Sequence, residues 1–138
     1  MIPLKSSLCL GNPHGMAKVL VIEDVPISRN LLRRVLHLAG HQVLEAEDGP
    51  GGLIAALAGE PDLILMDLSL PLLDGWSVLP RLREQGVGVP VVALTAHALV
   101  GDRERVLAAG FDGYMSKPID VRTFHRDLES YLTCPKTR

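Results

Sequence analysis

The apolar residues of this chain fall into two kinds of run. Five are short and dense: KVLVIE (18–23), QVLEA (42–46), DLILM (62–66), PVVAL (90–94) and DGYMS (112–116). The first, third and fourth are continuous rather than alternating. That is the pattern of parallel strands covered on both faces. The second and fifth are shorter and more polar, as strands flanking a sheet should be.

Between these runs the apolar spacing becomes helical. In the first gap Ile27, Leu31, Val35 and Leu38 recur every three or four residues and predict a buried stripe, with Arg29, Arg33, Arg34 and His37 elsewhere. Pro26 suits the first turn of that helix and Gly40 its C-terminal stop. The second helix, Leu53 to Ala58, is weak. Gly51 and Gly52 each cost about 1 kcal/mol in a helix interior relative to Ala, so a late or frayed start is expected. The third helix is predicted from Trp76 to Gln85, with a small kink at Pro80. The fourth spans Ala98 to Ala109 and stops at Gly110. The fifth opens at Asp120 and carries Val121, Phe124, Leu128 and Tyr131 on one stripe.

Strand and helix thus alternate five times, which implies right-handed βαβ units and a parallel sheet. The expected fold is α/β, a doubly wound five-stranded sheet in the flavodoxin-like order 2-1-3-4-5 with five helices. Ligands of such sheets bind at the carboxyl ends of the strands, near the switch point between strands 1 and 3.

Composition narrows the function. At 138 residues, 47% of them hydrophobic, the chain can bury a core as one domain. A net charge of −2 gives no reason to expect a nucleic-acid or membrane partner. No apolar run approaches the ~20 residues that span a bilayer. Residues 1–16 are rich in Gly, Pro and Ser, lack any period and lack the apolar stretch of a signal peptide. They are expected to be a poorly ordered leader, either a vector remnant or an over-long start, with the domain proper at 17–133 and a tail at 134–138. Cys9 and Cys134 match no metal or redox spacing. Reduced, incidental thiols and a cytoplasmic location are expected.

The chemistry gathers at the strand ends. Strand 1 runs into Glu23 and Asp24, strand 3 into Asp67, strand 4 into Thr95 and Ala96, and strand 5 into Lys117 and Pro118. The predicted strand order brings all of them to one edge. Two like charges ~4 Å apart repel by about 4 kcal/mol at an effective dielectric near 20, so three carboxylates in one crevice call for a cation. Oxygen ligands in a shallow crevice suit Mg²⁺ better than Ca²⁺. Lys117 adds a fixed positive charge and Thr95 a hydroxyl. Together these groups form a clamp for a phosphoryl group, with Asp67 as the nucleophile that becomes an aspartyl phosphate. Each residue alone also has a plainer role: Glu23, Asp24 or Thr95 as a helix cap, Asp67 as a solvated loop residue, Lys117 as a surface lysine.

The segments VLVIEDVPISRNLLRRVL, DLILMDLSLPLLDGW, VVALTAHA and GYMSKPID resemble, in order, the successive signatures of the response-regulator receiver domain. The resemblance covers Ala17 to about Leu132. It implies Asp67 as phosphoacceptor and Mg²⁺ held by Asp24, Asp67 and the backbone carbonyl of Ser69, with Glu23 acting through a metal-bound water. It further implies that Thr95, the backbone of Ala96 and Lys117 bind the phosphoryl group. A cis peptide before Pro118 is also implied, and Tyr114 matches the family's aromatic switch position. The implied partner upstream is a histidine kinase or a histidine phosphotransfer protein. Signalling would leave through the face formed by helix 4, strand 5 and helix 5, including Leu99, Val100 and Tyr114. A monomer or weak dimer is expected.

The chain ends soon after the fifth predicted helix, so a stand-alone receiver of the cell-division and polarity type is expected, acting as a switch rather than a turnover enzyme. A receiver excised from a hybrid kinase is the alternative. An FMN-binding flavodoxin-like protein would need free N–H donors after strand 1, where this chain has two acids. A phosphatase of the haloacid-dehalogenase type would carry a second Asp two residues after the nucleophile, where this chain has Ser69.

Overall fold

Five parallel strands pair in the order β2-β1-β3-β4-β5. They are β1 (Lys18–Ile22), β2 (Gln42–Ala46), β3 (Leu63–Asp67), β4 (Val91–Thr95) and β5 (Gly113–Ser116). Each is followed by a helix: α1 (Pro26–Leu38), α2 (Gly49–Gly59), α3 (Gly75–Glu84), α4 (Asp102–Ala108) and α5 (Val121–Leu132). The computed structural model describes residues 17–96 and 101–132. The expected leader and tail, with Cys9, Cys134, Leu99 and Val100, lie outside the described residues.

Period-two alternation divides the strand side chains between two cores. Val19, Val21, Leu63, Leu65, Val92 and Leu94 pack on one face with Leu32, Val35 and Leu36 of α1 and Phe124 and Leu128 of α5. Leu20, Ile22, Ile64, Met66, Val91 and Ala93 pack on the other with Ala56 of α2, Val78, Leu79 and Leu82 of α3 and Val106 of α4. All five residues of β3 and of β4 are buried. This explains why their apolar runs are continuous.

Three helices depart from the sequence expectation. In α1 the buried residues are Leu32, Val35 and Leu36, whereas Ile27 is 81% and Leu38 86% exposed and Leu31 is also on the surface. Both strips are apolar at helical spacing. The observed rotation also aims Arg29 at β2, where its Nε lies 3.3 Å from Glu45 Oε1. Helix α2 starts without delay at Gly49, because the Asp48 carboxylate caps it by accepting from Gly51 N at 2.7 Å. Gly52 is there for space: a Cβ on it would run into the Ile22 side chain of β1. Helix α4 runs from Asp102, directly after Gly101 at a left-handed φ of 91°, and its predicted start at Ala98 lies outside the described residues. Helix α3 continues through Pro80. Among the stripe residues expected in α5, Phe124 and Leu128 are buried, while Val121 is 45% exposed.

His41 closes the opposite edge of the sheet from the strand ends. It is buried, and its Nδ1 accepts the backbone N–H of Ala17 at 3.2 Å, which requires that nitrogen to be unprotonated. Burial pushes the imidazole below its usual 6.5; Glu129 of α5 opposes that shift and His125 of α5 adds to it.

Two outcomes follow for stability. Gly52→Ala should lower the unfolding free energy by about 1–3 kcal/mol in urea titrations, because overpacking against Ile22 outweighs helix propensity. A gain of about 1 kcal/mol, as propensity alone would give, would contradict the packing assignment. His41 has a folded value below its unfolded one, so its contribution is complete above about pH 6.5 and is lost as the pH falls from there toward the folded value. The stability difference between wild type and His41→Gln should therefore shrink between about pH 7.5 and about pH 5.5, either side of the ordinary imidazole value. A constant difference would remove His41 as the titrating group.

Candidate functional site

Register determines which residues meet. Ile22 pairs with Met66 across β1 and β3, so the next residue of each strand, Glu23 and Asp67, fall side by side. Asp67 itself pairs with Leu94 and Thr95 with Ser116, so Thr95 and Lys117 follow one step further along the same edge. The crossovers leaving β1 and β3 go to opposite faces, α1 to one core and α3 to the other. A crevice opens between them over the acids.

Glu23 is fully buried and Asp67 and Thr95 nearly so, while Asp24 is half-buried. One carboxylate oxygen from each of Glu23, Asp24 and Asp67 lies within 4.8 Å of the others. The Lys117 ammonium donates to Glu23 Oε1 at 2.7 Å and to Asp67 Oδ2 at 3.1 Å. Its backbone N–H donates to Thr95 O at 2.8 Å, which ties the lysine to the end of β4, and the Lys117–Pro118 peptide is cis. The second oxygens are also engaged: Ser69 N donates to Asp67 Oδ1 at 2.9 Å and Val25 N to Glu23 Oε2 at 3.1 Å.

The electrostatics follow from burial. Desolvation pushes the Glu23 carboxyl above its ordinary 4.5; the hydrogen bonds from Lys117 and Val25 oppose this, and the neighbouring Asp67 reinforces it. Burial alone would push Lys117 down, but its bonds to Glu23 and Asp67 outweigh it and raise the ammonium above 10.5. One ammonium among three acids leaves the crevice net negative. Its free valence is a set of hard carboxylate oxygens, which suits a divalent oxygen-seeking cation.

The loop after Asp67 is held tightly. Leu68 N bonds Leu94 O at 3.1 Å and Gly75 N bonds Leu68 O at 3.0 Å. A Cβ on Gly75 would meet Asp67 O and the Leu68 Cα, so only glycine lets α3 begin this close to the acid. Asp74 caps α3 by accepting from Ser77 N at 2.9 Å. Trp76, one residue into the helix, stacks edge-on to Phe111, with the Arg105 guanidinium 5.2 Å above its ring.

Ala96 is an exposed bend directly after Thr95. Tyr114 on β5 is half-buried, packs against the α2–α4 core and lines an open groove of about 360 Å³ with Arg103, Ser116, Asp120, Thr123 and Asp127. The structure therefore brings Lys117 into contact with Glu23 and Asp67, places Asp24 within 4.8 Å of both acids, has Thr95 and Ser69 adjoining through backbone bonds, and puts Tyr114 along β5 from them. A residue that sequence reasoning left among the solvated helix positions also belongs here. Arg29 of α1 is only 14% exposed at its side chain and donates to the Glu23 backbone carbonyl at 2.8 Å. An arginine on a polar helix strip carries no sequence signal of a bond to a strand-end carbonyl.

Comparison with known proteins agrees with this geometry. Residues 19–129 match the response regulator receiver domain family. The polar-differentiation response regulator DivK of Brucella ovis is 37% identical over 116 residues, covering 83% of this chain and 94% of DivK. The receiver domain of the sensor histidine kinase PA1611 from Pseudomonas aeruginosa PAO1, solved with magnesium in its active-site cleft, is 37% identical with a TM-score of 0.77; the match covers 85% of this chain and 98% of that one. The chemotaxis response regulator CheY4 of Vibrio cholerae is 28% identical with a TM-score of 0.79, covering 84% and 98%. A five-stranded sheet in this order, an acid cluster at its switch point and a family match over most of the described residues lead to one conclusion: the chain belongs to the response regulator receiver domain family.

Proposed function

We propose that this receiver takes a phosphoryl group onto Asp67 from a histidine kinase or a histidine phosphotransfer protein and signals by protein–protein contact. The observation that carries the proposal is the convergence of Glu23, Asp24, Asp67 and Lys117 at the carboxyl ends of β1, β3 and β5. A carboxylate oxygen of Asp67 attacks phosphorus while the donor's phosphorus–nitrogen bond breaks and its electron pair returns to the imidazole. Lys117, the Thr95 hydroxyl and the backbone N–H of Ala96 bind the transferred oxygens, on which negative charge sits throughout. Asp24, Asp67 and the Ser69 carbonyl would hold Mg²⁺, with Glu23 supporting them. When bound, the ion neutralises the acids and the incoming phosphoryl charge. The chain supplies position and electrostatics, so it acts as a switch that catalyses only its own phosphorylation and hydrolysis.

Phosphorylation draws Thr95 toward the phosphoryl oxygens and lets Tyr114 turn inward, which reshapes the groove between α4, β5 and α5. A complete shift from 1:99 to 99:1 needs about 5.5 kcal/mol of differential interaction. A charge-assisted hydrogen bond at Thr95 supplies about 1.5–3 kcal/mol. Lys117 must provide much of the remainder, so a partial shift is expected. Equal identity to DivK and to the receiver of a sensor kinase supports two settings, a free-standing regulator or a module of a hybrid kinase.

Acetyl phosphate with Mg²⁺ should add one phosphoryl mass to the wild type and none to Asp67→Asn in intact-mass spectra. Full labelling of Asp67→Asn, or labelling unchanged by a chelator, would refute the site. Thr95→Ala should still be labelled on Asp67 yet lose most of the phosphorylation-dependent change at Tyr114. The cation assignment is tested separately through Trp76, the single tryptophan. Asp24→Ala should weaken Mg²⁺ binding by about tenfold or more in fluorescence titrations, and Glu23→Ala should weaken it less. Superimposable curves for wild type and Asp24→Ala would exclude Asp24 as a ligand.

A further inference from the structure

We propose that Arg29 is a positioning residue for the metal-binding acids, a role that rests on the reading of the crevice as a Mg²⁺ site. Its guanidinium is forked between the turn that carries the acids and the end of β2. One nitrogen donates to the Glu23 carbonyl at 2.8 Å. Nε lies 3.3 Å from Glu45 Oε1 and the other terminal nitrogen 3.9 Å from Glu47 Oε2. Arg33, one turn further along α1, also reaches Glu45 at 3.3 Å and fixes that carboxylate from the other side.

The bond to a backbone oxygen is the informative one. The Glu23 carbonyl belongs to the peptide that joins Glu23 to Asp24, so holding it sets the plane from which the Asp24 side chain departs. The Glu23 N–H on the other side is already fixed by Ala46 O at 3.0 Å, which extends the β1–β2 ladder by one step. Val25 N closes the turn on the Glu23 carboxylate at 3.1 Å. Asp24 sits between these anchors, and among its two peptide groups the preceding one is held by Arg29. A rigid planar fork holds a carbonyl and a carboxylate in one fixed mutual geometry, which a flexible lysine ammonium does not. Partners that orient metal ligands in this way typically change metal affinity by about 10–100-fold when removed.

Electrostatics and positioning give opposite signs, which makes the inference testable. A positive charge near a cation site repels the cation, so its loss through charge alone would tighten Mg²⁺ binding. Loss of the fork should weaken it. Arg29→Met keeps the aliphatic stem and removes every donor; Arg29→Lys keeps the charge and loses the fork. The measurement is Mg²⁺ titration by Trp76 fluorescence, with chemical denaturation of each variant in chelator to establish that it is folded. Arg29→Met should bind Mg²⁺ about tenfold more weakly than wild type, and Arg29→Lys should fall near Arg29→Met. Equal or tighter binding by folded Arg29→Met would overturn the role, as would full recovery by Arg29→Lys. Should Arg29→Met not fold, Arg29→Lys decides alone, with wild-type affinity counting against the proposal. A wild type that binds no Mg²⁺ would instead overturn the reading of the site itself.

Discussion

The Lys117 ammonium lies 2.7 Å from Glu23 and 3.1 Å from Asp67, and the carboxyl edge of the sheet is organised around keeping those charges together. Glu23 is fully buried at the end of a strand. A buried carboxylate is costly unless paired and hydrogen-bonded. The fold meets that need from three directions. The ammonium comes from the end of β5, N–H donors come from Val25 and Ser69, and register aligns Glu23 with Asp67 so that one lysine serves both. With Asp24 added, the cluster remains net negative. That residual charge is what the proposed cation and phosphoryl group would draw on.

The same constraint reaches outward. Helix α3 must start against the backbone of Asp67, which is why Gly75 stands where any side chain would collide with Asp67 O. Helix α1 buries Leu32, Val35 and Leu36, leaves Ile27 and Leu38 in solvent, and in that orientation presents Arg29 to the Glu23 carbonyl and to Glu45. Leu72, in the loop between Asp67 and α3, is held at a φ of 67°, uncommon for a leucine, and is 82% exposed. A strained, exposed leucine thus stands in the loop that leads from Asp67 to α3.

Much of this was legible in the sequence because the signals were dense. Buried parallel strands impose continuous apolar runs, so β1, β3 and β4 were located to within a residue. Acids and a lysine at strand ends have few structural reasons to be there, so the crevice could be assembled on paper once the strand order was known. What failed had two available answers. Helix α1 carries two neighbouring apolar strips, and hydrophobic spacing alone does not choose between them. The glycines of α2 read as helix breakers because propensity is local, whereas the space that Ile22 requires of Gly52 comes from another element. Arg29 itself was passed over because a bond to a backbone carbonyl leaves no trace in side-chain chemistry.

The central claim is that the acids are held together against their own repulsion, and that a cation relieves it. Unfolding free energies of wild type and Asp67→Asn, measured by urea titration in chelator and again in saturating Mg²⁺, test it most directly. In chelator Asp67→Asn should be the more stable protein by about 1 kcal/mol or more, since one like charge is gone and Lys117 still has Glu23. Mg²⁺ should stabilise the wild type more than Asp67→Asn and close or reverse the gap. A less stable Asp67→Asn in chelator, or equal stabilisation of both proteins by Mg²⁺, would contradict the account.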